Sequence, residues 1–168
     1  MSCFLGIDPG VKAGGFGLID ADGNLIECGG FNKFLTLGDL SIKSAGLERI
    51  QFQHRDKGAK LFHIEKLLIN FGEWRGILKD RGIDFIEIQP LTWQSGFGLV
   101  FRRGAGKAVS LGQLKLIKSD MVLKVAQMLF PNAPLNRRKD DGIAAGLLIA
   151  EYVRRIGKQA ELFEGTCQ

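Results

Sequence analysis

Apolar residues run unbroken from Cys3 to Ile7 and stop at Asp8, where Pro9 and Gly10 turn the chain. A run of this kind reads as a strand buried on both faces of a sheet. Two more short strands are predicted over 15–20 and 25–31. The Ala21-Asp22-Gly23-Asn24 segment between them carries the Asp-Gly pair that closes hairpins. Residues 35–44 are polar and without a period, 45–52 read as a fourth strand, and 53–58 as a charged loop. Over 59–80 the spacing becomes helical, with Leu61, Ile64, Leu68, Phe71, Ile77 and Leu78 on the apolar side and Arg81-Gly82 as the stop. Residues 83–88 predict a fifth strand running into Pro90. Beyond it come a helical turn over 91–96, a Gly- and Arg-rich loop over 97–111, an amphipathic helix over 114–130, and a last helix over 140–156. A meander, then a strand, a helix, a strand and more helices predict a mixed α/β sheet with helices on both faces.

Composition narrows this little. At 168 residues the chain has the length of one domain with a real core. No apolar stretch approaches a membrane span, and the N-terminus lacks a basic segment followed by an apolar signal core, so the expectation is a cytoplasmic protein. Cys3, Cys28 and Cys167 are scattered and lack metal-ligand spacing, which makes reduced thiols the expectation. His54 and His63 have no partner cysteines and do not suggest a metal site.

Charge placement says more than the net charge of +5. Between Ile88 and Ser119 there is no acid, while Arg102, Arg103, Lys107, Lys115 and Lys118 all fall there; Arg137, Arg138 and Lys139 form a second cluster. One-sided basic segments suit a polyanion, because each neutralised phosphate releases condensed counterions.

The acids suggest chemistry. A carboxylate at the rim of a sheet core is costly unless a cation or donor neutralises it, although Asp-Pro-Gly is also ordinary turn chemistry. Cleaving a phosphodiester calls for several carboxylates converging on divalent cations, and magnesium takes oxygen ligands. Asp8 is the first such acid. Glu48 in the fourth strand, Glu65 in the long helix and Glu87 in the fifth strand are alternatives for the second. Asp140-Asp141, ahead of the apolar run 144–150, offers the third.

These residues also carry a resemblance. Leu5-Gly6-Ile7-Asp8-Pro9-Gly10, followed by Gly15-Phe16-Gly17-Leu18-Ile19-Asp20, looks like the opening of RuvC-type Holliday junction resolvases of the RNase H-like superfamily. It continues through Leu47-Glu48-Arg49-Ile50, Asn70-Phe71-Gly72-Glu73-Trp74-Arg75-Gly76-Ile77-Leu78, Gln89-Pro90-Leu91-Thr92-Trp93 and Leu129-Phe130-Pro131. It closes with Asp140-Asp141-Gly142-Ile143-Ala144 and looks closest to phage or prophage members.

The resemblance implies one RNase H-like domain over 1–168: a five-stranded mixed sheet, three strands antiparallel and two parallel, flanked by helices. It implies an endonuclease of a bacterial or phage-infected cell that nicks four-way or branched DNA with two Mg2+ ions, Mn2+ being the substitute. Asp8 and Glu48 would be ligands from adjacent strands, and Asp141 a third from the last helix with Asp140 beside it. Lys118 matches a basic position near the active-site helix of relatives. In-line attack of water on phosphorus would leave 5′-phosphate and 3′-hydroxyl ends. Arg102, Arg103, Lys107, Lys115, Arg137 and Arg138 would meet the DNA backbone, and Phe101 would stack on or wedge a base at the branch point.

One departure stands out. Relatives carry another acid about one turn into the last helix, in the slot that Ala145 fills here. Either Asp140 substitutes, or the site is one ligand short and the chain binds junctions while cleaving weakly or not at all. Two symmetric nicks imply a twofold homodimer. Gly72 and Gly76 form a smooth strip that either meets a second copy or packs on the chain's own sheet.

Overall fold

Alternating side chains sort the first strands onto two faces. Cys3, Leu5 and Ile7 join Phe16, Leu18, Ala45 and Leu47 in one buried cluster, while Phe4 and Ile19 join a second cluster on the other side. Both faces of the central strand are therefore covered, which is why its sequence reads as a continuous apolar run.

The computed structural model describes residues 2–11, 14–30, 41–50, 61–99 and 111–164. Five strands, β1 (Cys3–Asp8), β2 (Gly15–Asp20), β3 (Leu25–Gly30), β4 (Ile42–Glu48) and β5 (Phe85–Ile88), form one sheet in the order β3-β2-β1-β4-β5. The first three make an antiparallel meander; β4 lies parallel to β1, and β5 parallel to β4. Helix α1 (Leu61–Asp80) covers one face through Trp74 and Leu78. Helices α2 (Pro90–Gly96), α3 (Leu111–Leu129) and α4 (Asp141–Glu164) build the other. This is the α/β, RNase H-like arrangement of a mixed five-stranded sheet between helices.

Three glycines seat α4. Gly6 in β1 pairs with Gly17 in β2 and with Gly46 in β4, so a row of bare backbone crosses the sheet. A Cβ at Gly6 would overlap the Gly146 carbonyl oxygen and the Ala150 nitrogen. One at Gly17 would come within 2.5 Å of the Leu147 Cα. The helix lies almost on the strands, and interior strand glycines mark such an approach.

Several boundaries differ from the sequence expectation. The fourth strand is Ile42–Glu48, not 45–52, because its pairing with β1 starts at Cys3 opposite Ile42 and tolerates the polar Lys43 and Ser44. Glu48 therefore ends its strand. Helix α4 continues to Glu164, well past 156, through helix-favouring polar residues. Asp140 is not in it: it closes a 3-10 turn, Arg138–Asp140, just ahead. Gly72 and Gly76 do not pack on the sheet; a Cβ at either would meet open space. Cys3 and Cys28 form no disulfide among the described residues. No helix among the described residues is long and apolar enough to cross a membrane.

Candidate metal centre and nucleic-acid interface

Strand parity places the acids. Asp8 lies two residues beyond Gly6 and Glu48 two beyond Gly46, so both carboxylates leave the sheet on the side that α4 covers. Ile7 stands opposite Leu47 in the parallel register, which puts Asp8 and Glu48 side by side at the ends of their strands. Gly15, the antiparallel partner of Asp8, sits under the start of α4, where an added Cβ would come within 2.7 Å of the Ile143 nitrogen. That close approach brings Asp141, the first residue of α4, to the same corner.

The electrostatics follow from this placement. Burial pushes the Asp8 carboxyl well above its usual range, and the charges of Glu48 and Asp141 push it further. The Gly10 N–H donates to Asp8 Oδ1 at 3.0 Å and works the other way. Burial raises Glu48 to about 7, against a hydrogen bond from the Trp93 indole Nε1–H to Glu48 Oε2 at 2.6 Å. The Ser119 hydroxyl of α3 donates to Asp141 Oδ2. A cavity of about 240 Å3 opens beside Asp8 and Glu48, walled by Pro9, Leu67 and Pro90 with Arg49 alongside.

Other acids have different work. Glu65 is solvent-exposed on α1. Glu87 pairs with Arg75 of α1 at 3.0 Å. Asp140, expected beside the cluster, is engaged by Arg137. Its oxygens accept from the Arg137 backbone N–H at 2.8 Å and from Arg137 Nη2 at 2.9 Å. Burial works to raise its pKa, but the Arg137 bonds hold it below the aspartate value. It is a cap for the turn before α4. Ala145, one turn past Asp141, is 7% exposed and packs in the apolar cluster with Ala144 and Leu148.

The basic residues divide similarly. Arg138 binds Asp120 through two bonds, at 2.8 and 2.7 Å, and Arg137 is committed to Asp140, although both side chains keep more than half of their surface in solvent. Lys118 is half-buried on α3, next to Ser119. Lys115 falls in α3, with its side chain outside the described residues. Phe101, Arg102, Arg103 and Lys107 lie outside them altogether.

Trp93 and Ser119 were not among the expected site residues. A buried indole N–H needs an acceptor, so Trp93 after Pro90 was a usable signal. A single serine within a helix offered none.

The donor set suits a hard divalent cation: three carboxylates, two of them held above their normal pKa by burial in a shared corner. They do not form a closed cage. Among the described residues, no three His, Cys, Asp or Glu side chains are gathered tightly enough to hold an ion ready-made. The chain matches no family model and no curated protein.

Proposed function

We propose that this chain is a magnesium-dependent, structure-selective endonuclease of RuvC type that nicks four-way or branched DNA. The observation that carries the reading is the meeting of Asp8, Glu48 and Asp141 at one corner of an RNase H-like sheet, where burial raises the pKa of Asp8 and Glu48 above the ordinary carboxylate range. Asp8, Glu48 and Asp141 would hold Mg2+, or Mn2+ in its place, supplying activation of water and stabilisation of the leaving oxygen. Asp8, between the other two, would serve both ions of a pair. Lys118 would face the scissile phosphate. Arg102, Arg103, Lys107 and the exposed parts of Arg137 and Arg138 would carry the DNA backbone. Two symmetric nicks require two copies. The outward strip of α1, where Phe62 is 65% and Ile69 53% exposed beside Gly72 and Gly76, supports a homodimer.

A second reading has its own support. The open arrangement of the acids and the apolar packing of Ala145 favour a junction-binding protein with a weak or silent catalytic site. Incubating the chain with an end-labelled four-way junction, with and without Mg2+, and with linear duplex alongside, separates the two. Mg2+-dependent paired nicks in the junction alone support the nuclease. Junction-selective binding without nicks supports the second reading. Indifference to DNA shape defeats both.

A further inference from the structure

Each of the three carboxylates accepts from a donor in a different part of the chain. Asp8 takes the Gly10 N–H from its own turn, Glu48 takes the Trp93 indole from α2, and Asp141 takes the Ser119 hydroxyl from α3. The Asp8 turn is itself tied to α1, where Asn70 Nδ2 donates to the Pro9 carbonyl oxygen at 3.0 Å. In each pair the bond engages one named oxygen and fixes the orientation of the other.

We propose that Trp93 and Ser119 are positioning residues that orient Glu48 and Asp141 for a divalent cation. This rests on the nuclease reading for the identity of the ligands. Trp93 is 1% exposed and wedged in the core beneath α4, so its indole has one fixed direction. Its bond at 2.6 Å holds the side chain of Glu48, the last residue of β4, whose backbone is itself kept in place by pairing with Ile88. Ser119 sits on α3 and reaches across to the first residue of α4. Glu48 and Asp141 project from different elements, and the two donors fix each against a separate helix. Outer hydrogen bonds of this kind orient metal ligands and typically matter by about 10–100-fold in affinity or activity.

The test uses the full chain and two variants that remove the donors, Trp93→Phe and Ser119→Ala. Mn2+ affinity is read by electron paramagnetic resonance in the absence of DNA, and junction cleavage is read separately. The expected result is an affinity loss of about 10-fold or more in each variant, a fall in kcat, and junction binding without metal unchanged. Ser119→Thr should restore Mn2+ affinity, which a purely packing role would not require.

Fluorescence gives a readout independent of folding defects in Trp93→Phe. The chain has two tryptophans, so Trp74→Phe leaves Trp93 as the sole reporter. Mn2+ or Mg2+ should change its emission, and Glu48→Gln should abolish the change. Wild-type Mn2+ affinity in both Trp93→Phe and Ser119→Ala, while Asp8→Asn abolishes binding, would overturn the positioning role and leave the metal site standing. Absence of Mn2+ binding in the unaltered chain would overturn the nuclease reading, and this proposal with it.

Discussion

Helix α4 carries a carboxylate into two very different surroundings. At its start, Asp141 joins Asp8 and Glu48, and Asp8 is pushed upward by burial and then by its acidic neighbours. Ten residues on, Glu151 is 5% exposed, yet Arg154 grips it through bonds of 2.6 and 2.8 Å and Arg155 through one of 2.7 Å. Arg154 also reaches the Ala21 carbonyl oxygen at 3.2 Å, tying α4 to the β2–β3 hairpin. Burial works to raise Glu151, but its arginine bonds prevail and hold it below the glutamate value. Asp140, directly beside Asp141, has its own arginine as well. Glu151 and Asp140 are held by arginines; at the β1–β4 corner Asp8 and Glu48 have their pKa values raised. That contrast is the strongest support for an external cation there.

The largest effect expected from breaking this contrast is on cleavage. Asp8→Asn or Glu48→Gln should abolish nicking of a labelled junction while gel-shift affinity persists or improves, since removing an acid relieves repulsion. A collapse of folding in Glu48→Gln would make Glu48 a brace like Glu151. The converse change, Glu151→Gln, should lower stability in urea unfolding, because it leaves the largely covered Arg154 without its charged partner, and Mg2+ should not repair it.

The two ends should also titrate with opposite sign. Glu48 sits at about 7 in the fold against an ordinary value of 4.5, so the folded chain holds a proton that the unfolded chain releases between those limits. Metal-free stability from this group should therefore fall as pH rises from 4.5 to 7, by up to about 3 kcal/mol. Glu48→Gln should flatten that slope. For Glu151, whose value is lowered, the stabilisation is present above the unfolded value and is lost as pH falls through the folded one. Melting curves across pH for Glu48→Gln and Glu151→Gln would separate the two.

Smaller effects concern the missing acid. Asp140→Asn should cost a little stability through the lost charge on its Arg137 pair and leave Mg2+ dependence alone. Ala145→Asp places a carboxylate one turn along from Asp141. It should lower the melting temperature in metal-free buffer, recover with Mg2+, and raise cleavage or reduce the Mg2+ requirement. If Ala145→Asp leaves activity and metal dependence unchanged, the first turn of α4 is wrongly placed against the site.

The order of strands and helices was legible because the buried strands and the main helices carry strong periods. Asp8 could be placed at a strand end from its flanking residues alone. The edges were less legible: Lys43 and Ser44 hid the start of β4, since a strand paired to the central one accepts polar residues where a face is open. Asp140 and Asp141 looked interchangeable, as neighbouring acids do until the backbone decides which one caps a turn. The glycine row Gly6–Gly17–Gly46 was visible as three mid-strand glycines, but the register that aligns them comes only with the sheet. Ser119 left no trace in the pattern, because a helix surface tolerates serine for many reasons.

The central claim, that the Asp8 corner awaits a divalent cation, is tested most directly by heat. Melting temperatures of the unaltered chain and of Asp8→Asn are compared across a Mg2+ titration at neutral pH, since a ligand that binds only the folded state stabilises it in proportion to its occupancy. The expected result is a saturable rise for the unaltered chain and none for Asp8→Asn. Equal rises in both, or no rise in either, would contradict it.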